Sequence, residues 1–399
     1  MHSTEAPIVT VARQQWATSR QADVAVVGAG IVGIAHALEA ARRGLRVVVF
    51  ERDERPIGAS IRNFGMILSL GAAPGAMLAW ALRSRQVWRR IAPEAGIWWQ
   101  QSGALLLAYQ EDERAVANEF AGQGMETGHR CQWLGANEVV RRCPAVTASG
   151  LLGALWFPDE MIVDPREALR KLPPYLSGRH AVCFRFGRAV MGIAMPYIQA
   201  GNETWRVDRV LVCTGAATHS LFPDMFSAGG LTRCKLQMMR TVPQPNRWRL
   251  GPMIATGLSM RHFPTFSACP SLPSLKQRID HDHPDLERWG IHLLAAQNGL
   301  GELILGDSHE YGLEPDLFDR PEIDTLILGH VRTFLAPPTL AIAQRWHGIY
   351  AKHATRPVFL AEPEPNVYIV NGLGGMGMSA SFGLAQDVFE NWKQTMSAA

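Results

Sequence analysis

The 399-residue sequence predicts an α/β fold of two interleaved domains, one built on a parallel β-sheet and the other on an antiparallel β-sheet. Residues 23–51 hold two short, almost wholly apolar runs separated by a stretch with helical spacing, which is the pattern of a βαβ unit and of a parallel sheet. Two later runs, 188–193 and 208–216, have the pattern of strands that return to this sheet. Three further strand-like runs suit a separate antiparallel sheet: residues 235–242, 290–297 and 302–307.

The remaining elements follow in chain order. Three are predicted before the middle of the chain: a helix over 74–90, a strand over 103–109 and an exposed helix over 111–123. Asp164 is expected to cap a further helix, with Pro165 at its first position, where a missing N–H costs little. The C-terminal part adds a helix over 321–335, a strand over 345–351, and a strand, glycine-rich turn and final helix from residue 366.

Composition and charge exclude several classes of protein. The formal net charge is only +3, which argues against nucleic-acid binding. The six cysteines show no CxxC spacing, so neither a disulfide framework nor a zinc site is expected. The N-terminal segment lacks the apolar region of a signal peptide, and the most apolar run, Val24 to Ala35, is shorter than the roughly 20 residues that span a bilayer. We therefore expect a soluble cytoplasmic protein with no membrane partner.

Gly28, Gly30 and Gly33 form a GxGxxG motif between the first strand and the first helix. In this position the three glycines permit a tight turn, close approach of a pyrophosphate to the backbone, and close packing of the helix on the strand. The pyrophosphate would lie at the helix N-terminus. Glu51 ends the second strand and is placed to accept a hydrogen bond from a ribose hydroxyl. The motif therefore predicts a dinucleotide cofactor.

Two further segments indicate FAD rather than NAD. Thr214 and Gly215 follow a strand and allow a second close approach of the backbone to the cofactor. Residues 371–385 place four glycines directly before a helix, whose N-terminus would stabilise the negative charge of reduced flavin by up to about 2 kcal/mol. The sequence thus predicts a Rossmann-like FAD-binding domain and an interleaved antiparallel-sheet α+β substrate domain. The FAD-binding domain is assigned residues 22–85, 146–225 and 341–395, and the substrate domain residues 86–145 and 226–340.

These motifs together resemble the D-amino-acid oxidase/glycine oxidase/sarcosine oxidase family of FAD enzymes over about residues 22–393: GAGIVG with Glu51, GASIRNFG, CTGA and GGMGMSASFG. The segments GASIRNFGMI, RCKLQMMRT, GELILGDSHEYG and RWHGIYAKH are most similar to a subfamily associated with phosphonate catabolism. The resemblance implies a small amine substrate, and in that subfamily an aminophosphonate such as 2-aminoethylphosphonate or an N-methyl or hydroxy derivative. The motifs and the resemblance imply these cofactor-binding residues: Gly28, Ala29, Gly30, Ile31, Gly33, Glu51, Arg52, Ser60, Arg62, Asn63, Gly65, Met66, Val190, Thr214, Gly215, Gly374, Gly375, Met376, Gly377 and Met378.

The chain departs from the wider family at positions that bear on chemistry. Amino-acid oxidases of the family carry a W-x-G-x-R strand whose arginine binds the substrate carboxylate, whereas this chain reads WHGIY and has Tyr350 in that place. Monomeric sarcosine oxidases tether flavin through a cysteine near this strand, which is missing here, so we expect noncovalent FAD. They also use a substrate lysine where this chain has Met378-Ser379, and an oxygen-activating lysine in an L-K-L-G strand that reads LILG at 303–306. The electron acceptor is therefore O2 or unknown.

The candidate substrate residues follow from these departures. Arg62 is the best remaining cation for an anionic end of the substrate, although it could instead pack on the flavin. Tyr350 is a candidate donor to a phosphonate oxygen, and further candidates lie on or near strands of the second domain: Lys235, Gln237, Arg240 and His262, with Met238 and Trp346 as walls. Lone histidines such as 292, 309 and 353 fit ligand, base and structural roles alike. No metal spacing occurs among the 13 histidines, and no catalytic base is assigned.

The sequence therefore predicts an FAD-dependent amine oxidoreductase, either an oxidase or a dehydrogenase. A hydride would move from the C–H bond beside nitrogen to flavin N5, and water would hydrolyse the resulting imine. Three alternatives stay open: a glycine- or sarcosine-type amino-acid oxidase, a flavin dehydrogenase of a non-amine substrate such as a hydroxy acid, and a non-catalytic FAD-binding protein. The three glycine clusters argue against the last of these.

Overall fold

The computed structural model describes residues 20–396, apart from the side chains of residues 124–127 and 393–396. In this part of the chain the strands are β1 (Gln21–Val27), β2 (Val47–Phe50), β3 (Met66–Ile67), β4 (Trp99–Gln100), β5 (Ala104–Ala108), β6 (Gln132–Gly135), β7 (Gly153–Phe157), β8 (Met161–Val163), β9 (Cys183–Arg185), β10 (Val190–Ala194), β11 (Tyr197–Ala200), β12 (Glu203–Val212), β13 (Leu231–Thr241), β14 (Met253–Ala255), β15 (Leu294–Gln297), β16 (Leu303–Gly306), β17 (Glu310–Gly312), β18 (Ile342–His353), β19 (Phe359–Glu364) and β20 (Val367–Asn371).

The helices alternate with these strands and cover them. They are α1 (Ile31–Arg42), α2 (Ala76–Glu94), α3 (Glu111–Thr127), α4 (Ala136–Arg142), α5 (Pro165–His180), α6 (Pro223–Ala228), α7 (Gly257–His262), α8 (Leu272–Asp282), α9 (Pro284–Arg288), α10 (Pro321–Phe334) and α11 (Gly377–Met396). Short 3-10 turns occur at Ala59–Ile61, Pro245–Arg247, Pro264–Phe266 and Gly374–Met376. Within residues 20–396, every helix is too short or too polar to cross a lipid bilayer.

The first sheet has a parallel centre in the order β9-β2-β1-β12-β20, and the antiparallel strands β10, β11 and β19 extend it. β1 and β2 are apolar on both faces because helices α1, α2, α5 and α11 pack against one face and a second apolar cluster covers the other. This confirms the predicted βαβ unit and the two strands that return to its sheet.

The second sheet has nine strands and is antiparallel except where β14 runs parallel to β5. The predicted strands at 235–242, 290–297 and 302–307 belong to it as β13, β15 and β16. One large apolar cluster fills the space between this sheet and helices α3, α7, α8 and α10. The predicted α/β fold with two different sheets is confirmed.

The domain ranges stay a prediction, but strand pairing assigns two segments differently. β7 lies within 146–225 yet pairs with β5 and β6 in the second sheet. β18 lies within 341–395 yet pairs with β13 along its whole length. An apolar strand pattern specifies a buried strand but not its partner, which is why the sequence assigns both segments to the FAD-binding domain.

Helix α5 shows how a local signal fixes an element that supports the site. Asp164 is its N-cap, and one carboxylate oxygen accepts hydrogen bonds from the backbone N–H groups of Arg166 and Glu167, each at 2.9 Å. Pro165 occupies the first turn. The predicted cap is confirmed, and the same segment packs against Gly65, where an added Cβ would lie 1.9 Å from the Val163 carbonyl oxygen.

Candidate active site

A cavity of about 1240 Å³ lies between the carboxyl ends of β1, β2 and β12 and the facing surface of β13 and β18. The carboxyl edge of a parallel sheet is where α/β proteins bind nucleotides, because the loops diverge there and helix N-termini point into the gap. The cavity exceeds the roughly 300–1,000 Å³ that is usual for one drug-sized ligand. It therefore has room for a dinucleotide and a small second molecule.

The dinucleotide end of the cavity is built on the predicted glycine motif. Gly28 has φ 103°, and a Cβ there would lie 2.5 Å from the carbonyl oxygen of Cys213, so β1 and β12 approach too closely for a side chain. A Cβ at Gly33 would lie 1.9 Å from the Gly28 carbonyl oxygen, which keeps α1 tight on the turn. The backbone at the start of α1 is consequently exposed to whatever fills the cavity.

Glu51 and Ser60 fix the shape of this turn. One carboxylate oxygen of Glu51 accepts from the backbone N–H of Ala29 at 2.9 Å, and the other accepts from Asp53 at 3.2 Å. Ser60 Oγ accepts from the backbone N–H of Ile31 at 3.0 Å, in the first turn of α1. The carboxylate of Glu51 is thus held at the end of β2, on the cavity wall, where a ribose hydroxyl would meet it.

The other two glycine-rich turns meet across Asn371. Its amide nitrogen donates to the Gly215 carbonyl at 2.9 Å, and its amide oxygen accepts from the backbone N–H of Gly372 at 2.7 Å. Beside them, the hydroxyl of Thr214 is buried and has no hydrogen-bond partner among the described residues. The glycines that exclude side chains and this orphan hydroxyl fit a bound polar cofactor such as FAD.

Most of the predicted cofactor residues line this cavity: Gly28, Gly30, Ile31, Glu51, Arg52, Ser60, Arg62, Asn63, Met66, Val190, Thr214, Gly215, Gly374, Gly375, Met376, Gly377 and Met378. Three others lie behind its wall. Ala29 is bonded to Glu51, Gly33 packs on Gly28, and Gly65 packs on Val163. Their roles are therefore to shape the wall.

The segment around Arg62 is tied to both domains. Asn63 donates to the carbonyls of Ala59 and Ser60 at 3.0 Å each, and its amide oxygen accepts from the N–H of Gly65 at 2.7 Å. Arg62 Nη1 donates to the carbonyl of His347 at 3.2 Å. Asn63 therefore holds the turn, while Arg62 reaches β18 in the second sheet and lines the cavity.

Four predicted substrate residues line the cavity: Arg62, Tyr350, Met238 and His262. The Tyr350 side chain lies against the final glycine turn, since a Cβ added at Gly375 would be 3.9 Å from its hydroxyl. Burial raises the pKa of Tyr350 well above its ordinary value, and neighbouring Cys234 and Tyr311 add to the effect. Tyr350 therefore stays protonated and able to donate a hydrogen bond.

The other four predicted substrate residues do not line the cavity, which corrects the sequence interpretation. Lys235 and Gln237 lie on the opposite face of β13 from Leu236 and Met238, because side chains alternate along a strand. Their partners lie around the start of α10: Lys235 pairs with Asp319 at 3.2 Å, and Gln237 donates to the Arg320 carbonyl at 3.0 Å.

Arg240 and Trp346 are held outside the cavity by contacts of their own. Arg240 Nη1 pairs with Glu302 at 2.8 Å. Trp346 Nε1 donates to the Arg62 carbonyl at 3.2 Å, and the guanidinium of Arg166 stacks on its ring with 4.9 Å to the ring centre. Trp346 therefore supports the Arg62 turn from behind.

Several cavity residues were missed by the sequence interpretation or left without a role. Lys352, Phe263 and Asp307 line the cavity, as do His292 and His309. Lys352 follows Tyr350 by two positions on one strand, so the alternation of β18 was an available signal. The sequence gives no comparable signal for Asp307 and the histidines, because the sheet brings them together from separate segments.

A model of the family described as DAO, FAD dependent oxidoreductase, matches residues 23–390. The chain belongs to this family. Glycine oxidase from Geobacillus kaustophilus (strain HTA426) is 30% identical over 206 residues, covering 49% of this chain and 54% of the relative, so the match spans about half of that protein. Glycine oxidase from Bacillus licheniformis is 29% identical over 353 residues, covering 82% of this chain and 80% of the relative.

Other DAO-family comparisons concern a non-amine enzyme and the fold. The anaerobic glycerol-3-phosphate dehydrogenase of Escherichia coli (strain K12) has one polypeptide that is 30% identical over 151 residues, covering 37% of this chain and 27% of the relative. The crystal structure of glycine oxidase from Geobacillus kaustophilus superposes with a TM-score of 0.73 at 19% identity, covering 92% of this chain and 94% of that one. L-proline dehydrogenase from P. horikoshii gives a TM-score of 0.73 at 20% identity, covering 92% of both chains.

Membership of the DAO family makes this chain an FAD-dependent oxidoreductase. The cavity fits that cofactor on independent grounds, since its walls carry the glycine turns, the fixed Glu51 carboxylate and the orphan Thr214 hydroxyl. The finer expectation of a phosphonate-related subfamily stays a prediction.

Proposed function

We propose that this DAO-family chain oxidises the C–N bond of a small amine that carries an anionic end, with an aminophosphonate such as 2-aminoethylphosphonate as the preferred substrate. The observation that carries the proposal is the side of the cavity formed by β18 and the Arg62 turn, where Arg62, Lys352 and the Tyr350 hydroxyl line one wall. A dianionic phosphonate needs two or more charge-assisted donors, which these residues supply.

The rest of this end of the cavity suits a small amine. Leu236, Met238, Leu294 and Phe263 line it with apolar surface, which excludes water and limits the size of the substrate. FAD, when bound, would supply two-electron oxidation beside this surface. Burial lowers the pKa of His262 to about 3, so this imidazole is neutral and leaves the substrate anion to the permanent cations.

Kinship supports the amine class, because two of the matched relatives are glycine oxidases, and one of these matches spans 82% of this chain. We expect the FAD to be noncovalent. The cysteine that lines the cavity, Cys213, lies at the Gly28 turn, and burial raises the pKa of its thiol. A thiol that stays protonated is a poor nucleophile toward flavin.

A second candidate is the two-electron oxidation of a phosphorylated alcohol. It is favoured by the match to a glycerol-3-phosphate dehydrogenase, and the same cationic wall would accept a phosphate. The two candidates share an anion site and differ in the group that is oxidised. They are separable by substrate.

The deciding experiment is an anaerobic substrate panel that follows loss of the visible absorption of the bound flavin. 2-Aminoethylphosphonate and its N-methyl and 1-hydroxy derivatives should bleach the flavin and release an aldehyde with ammonia or methylamine. Ethylphosphonate, which lacks the amine, and ethylamine, which lacks the anion, are matched controls and should leave the spectrum unchanged.

Two outcomes would contradict the proposal in different ways. Bleaching by glycine or sarcosine but not by aminophosphonates would remove the phosphonate and keep the amine. Bleaching by glycerol 3-phosphate alone would favour the second candidate and remove the amine.

A further inference from the structure

Two histidines and an aspartate from separate segments converge on the cavity wall. His292 precedes β15, while Asp307 and His309 follow β16. One ligand atom from each of the three side chains lies within 4.8 Å of the other two. The backbone N–H of His292 donates to the Asp307 carbonyl at 3.1 Å, so the two segments are fixed to one another by the main chain.

Asp307 is the most demanding member of the group. The residue is 7% exposed, and its Oδ1 is buried without a hydrogen-bond partner among the described residues. A buried carboxylate without a partner is costly, and such groups in proteins normally pair with a cation or coordinate a metal. Arg261, which also lines the cavity, does not compensate it, because its guanidinium pairs with Asp280 and Glu287 at 2.7 Å each.

His309 presents a lone pair to this carboxylate. Its Nδ1 lies 2.9 Å from the carbonyl of Gly290, which can only accept, so Nδ1 carries the proton. In the neutral imidazole the other nitrogen, Nε2, then has a lone pair, and it lies 3.8 Å from Asp307 Oδ2. Two electron-rich atoms that face each other at this distance suit a cation between them, and a backbone carbonyl on the opposite ring nitrogen is the usual support of a metal-bound histidine.

The neighbouring rings argue that the histidines are neutral. The ring centre of His292 lies 3.9 Å from that of His262 and 4.1 Å from that of His309, in nearly parallel stacks. Three imidazolium ions could not stack in this way, because their charges would repel at about 4 Å. Neutral imidazole is the form that binds metal ions.

We propose that His292, Asp307 and His309 bind a divalent transition-metal ion, such as Zn²⁺, in the wall of the flavin cavity. Two imidazoles and one carboxylate, with an open position toward a cavity, are a donor set that suits zinc and other divalent transition metals. Zinc bonds of about 2.0–2.2 Å allow two ligand atoms to lie up to roughly 4.4 Å apart. The His309–Asp307 separation meets this limit, and a small ring rotation would bring the whole group within it.

The proposal is tested on the purified FAD-bound protein after treatment with a chelator. Zn²⁺ is titrated against a chromophoric competitor, and one ion per chain is expected. Loss of an outer-shell partner alone costs about 10–100-fold in metal affinity, so loss of a ligand should weaken binding by about 100-fold or more. Asp307→Asn and His309→Gln should each show this loss.

A matched control separates the site from ordinary surface histidines. His281 Nδ1 lies 3.9 Å from Asp282 Oδ1, nearly the spacing of the proposed pair, but its side chain is 86% exposed. His281→Gln should bind Zn²⁺ like the unmodified protein. Flavin content and circular dichroism check that each variant is folded.

The unmodified protein gives a second readout that needs no substitution. Zn²⁺ should protect His292 and His309 from acylation by diethyl pyrocarbonate, measured by mass spectrometry, and should leave His281 reactive. Stoichiometric binding with both losses and this protection supports the site. Absence of binding, or equal binding by Asp307→Asn, would overturn it and leave an ion pair between Asp307 and a protonated His309.

Discussion

Arg62 separates cofactor binding from substrate binding at the scale of one residue. Its carbonyl accepts from Trp346, its Nη1 donates to His347, and its side chain lines the cavity beside Tyr350. Arg62→Ala removes only the side chain, so the Asn63 bonds that hold the turn stay in place.

We expect Arg62→Ala to raise the substrate KM by about 10–100-fold, the equivalent of a charged hydrogen bond worth about 1.5–3 kcal/mol. FAD affinity should change much less, because the glycine turns and Glu51 carry it. Steady-state kinetics and FAD titration measure the two effects. Arg166→Ala removes a cation from the other side of Trp346 and should leave KM unchanged. Equal losses of FAD and substrate affinity would show that Arg62 serves the flavin.

At this scale the sequence predicts residues whose role is set locally and fails for those set by register. Gly28, Gly33 and Glu51 act within one βα turn, and their spacing reveals them. Lys235 and Gln237 lie on the wrong face of β13, which depends on how that strand pairs across the sheet. A shift of one residue exchanges the two faces, and no pattern in the strand itself settles it.

At the scale of elements, the same contrast separates helix caps from strand partners. Asp164 and Pro165 mark the start of α5 within two residues, so the sequence suffices. β7 and β18 read as strands but join the second sheet through partners that are distant in sequence. β18 thereby carries Tyr350 and Lys352 from the predicted FAD-binding segment to the substrate side of the cavity.

A charge cluster joins the ends of β9 and β12 and makes stability depend on pH. Glu203 is 3% exposed and accepts from Arg185 Nε at 3.2 Å, Arg188 Nε at 3.4 Å and Trp205 Nε1 at 2.9 Å. Burial raises the pKa of Glu203, but these donors outweigh it and leave the pKa below the ordinary value. The carboxylate therefore stabilises the fold above the ordinary glutamate pKa, and this contribution is lost as pH falls through the lowered value.

We expect Glu203→Gln to lower the melting temperature at pH 7 and to lower it less at pH 4, where the unmodified side chain begins to protonate. Thermal unfolding at the two pH values measures the difference. Glu111→Gln is the control, because Glu111 is 68% exposed in its pair with Arg114 and should show a small effect at both. A gap that is the same at pH 7 and pH 4 would mean that the charge of Glu203 does not contribute.

At the scale of the whole molecule, the cavity is bounded by both sheets, so its occupant belongs to the stability of the entire fold. The carboxyl ends of β1, β2 and β12 form one side, and β13 and β18 form the other. A ligand that binds only the folded state stabilises it by RT ln(1 + [L]/Kd), which is about 2.7 kcal/mol at 100 times Kd. FAD should therefore stabilise both halves of the chain together.

We expect the melting temperature of the FAD-stripped protein to rise with the logarithm of added FAD. FMN, which carries the flavin without the adenylate, is the matched ligand and should give a smaller rise, because it leaves the Gly28 turn and Glu51 without a partner. ADP should likewise give only part of the effect, through the dinucleotide end. Differential scanning calorimetry at several ligand concentrations measures all three. If FMN matched FAD, the dinucleotide end would contribute nothing to binding, and the function assigned to the GxGxxG turn would be wrong.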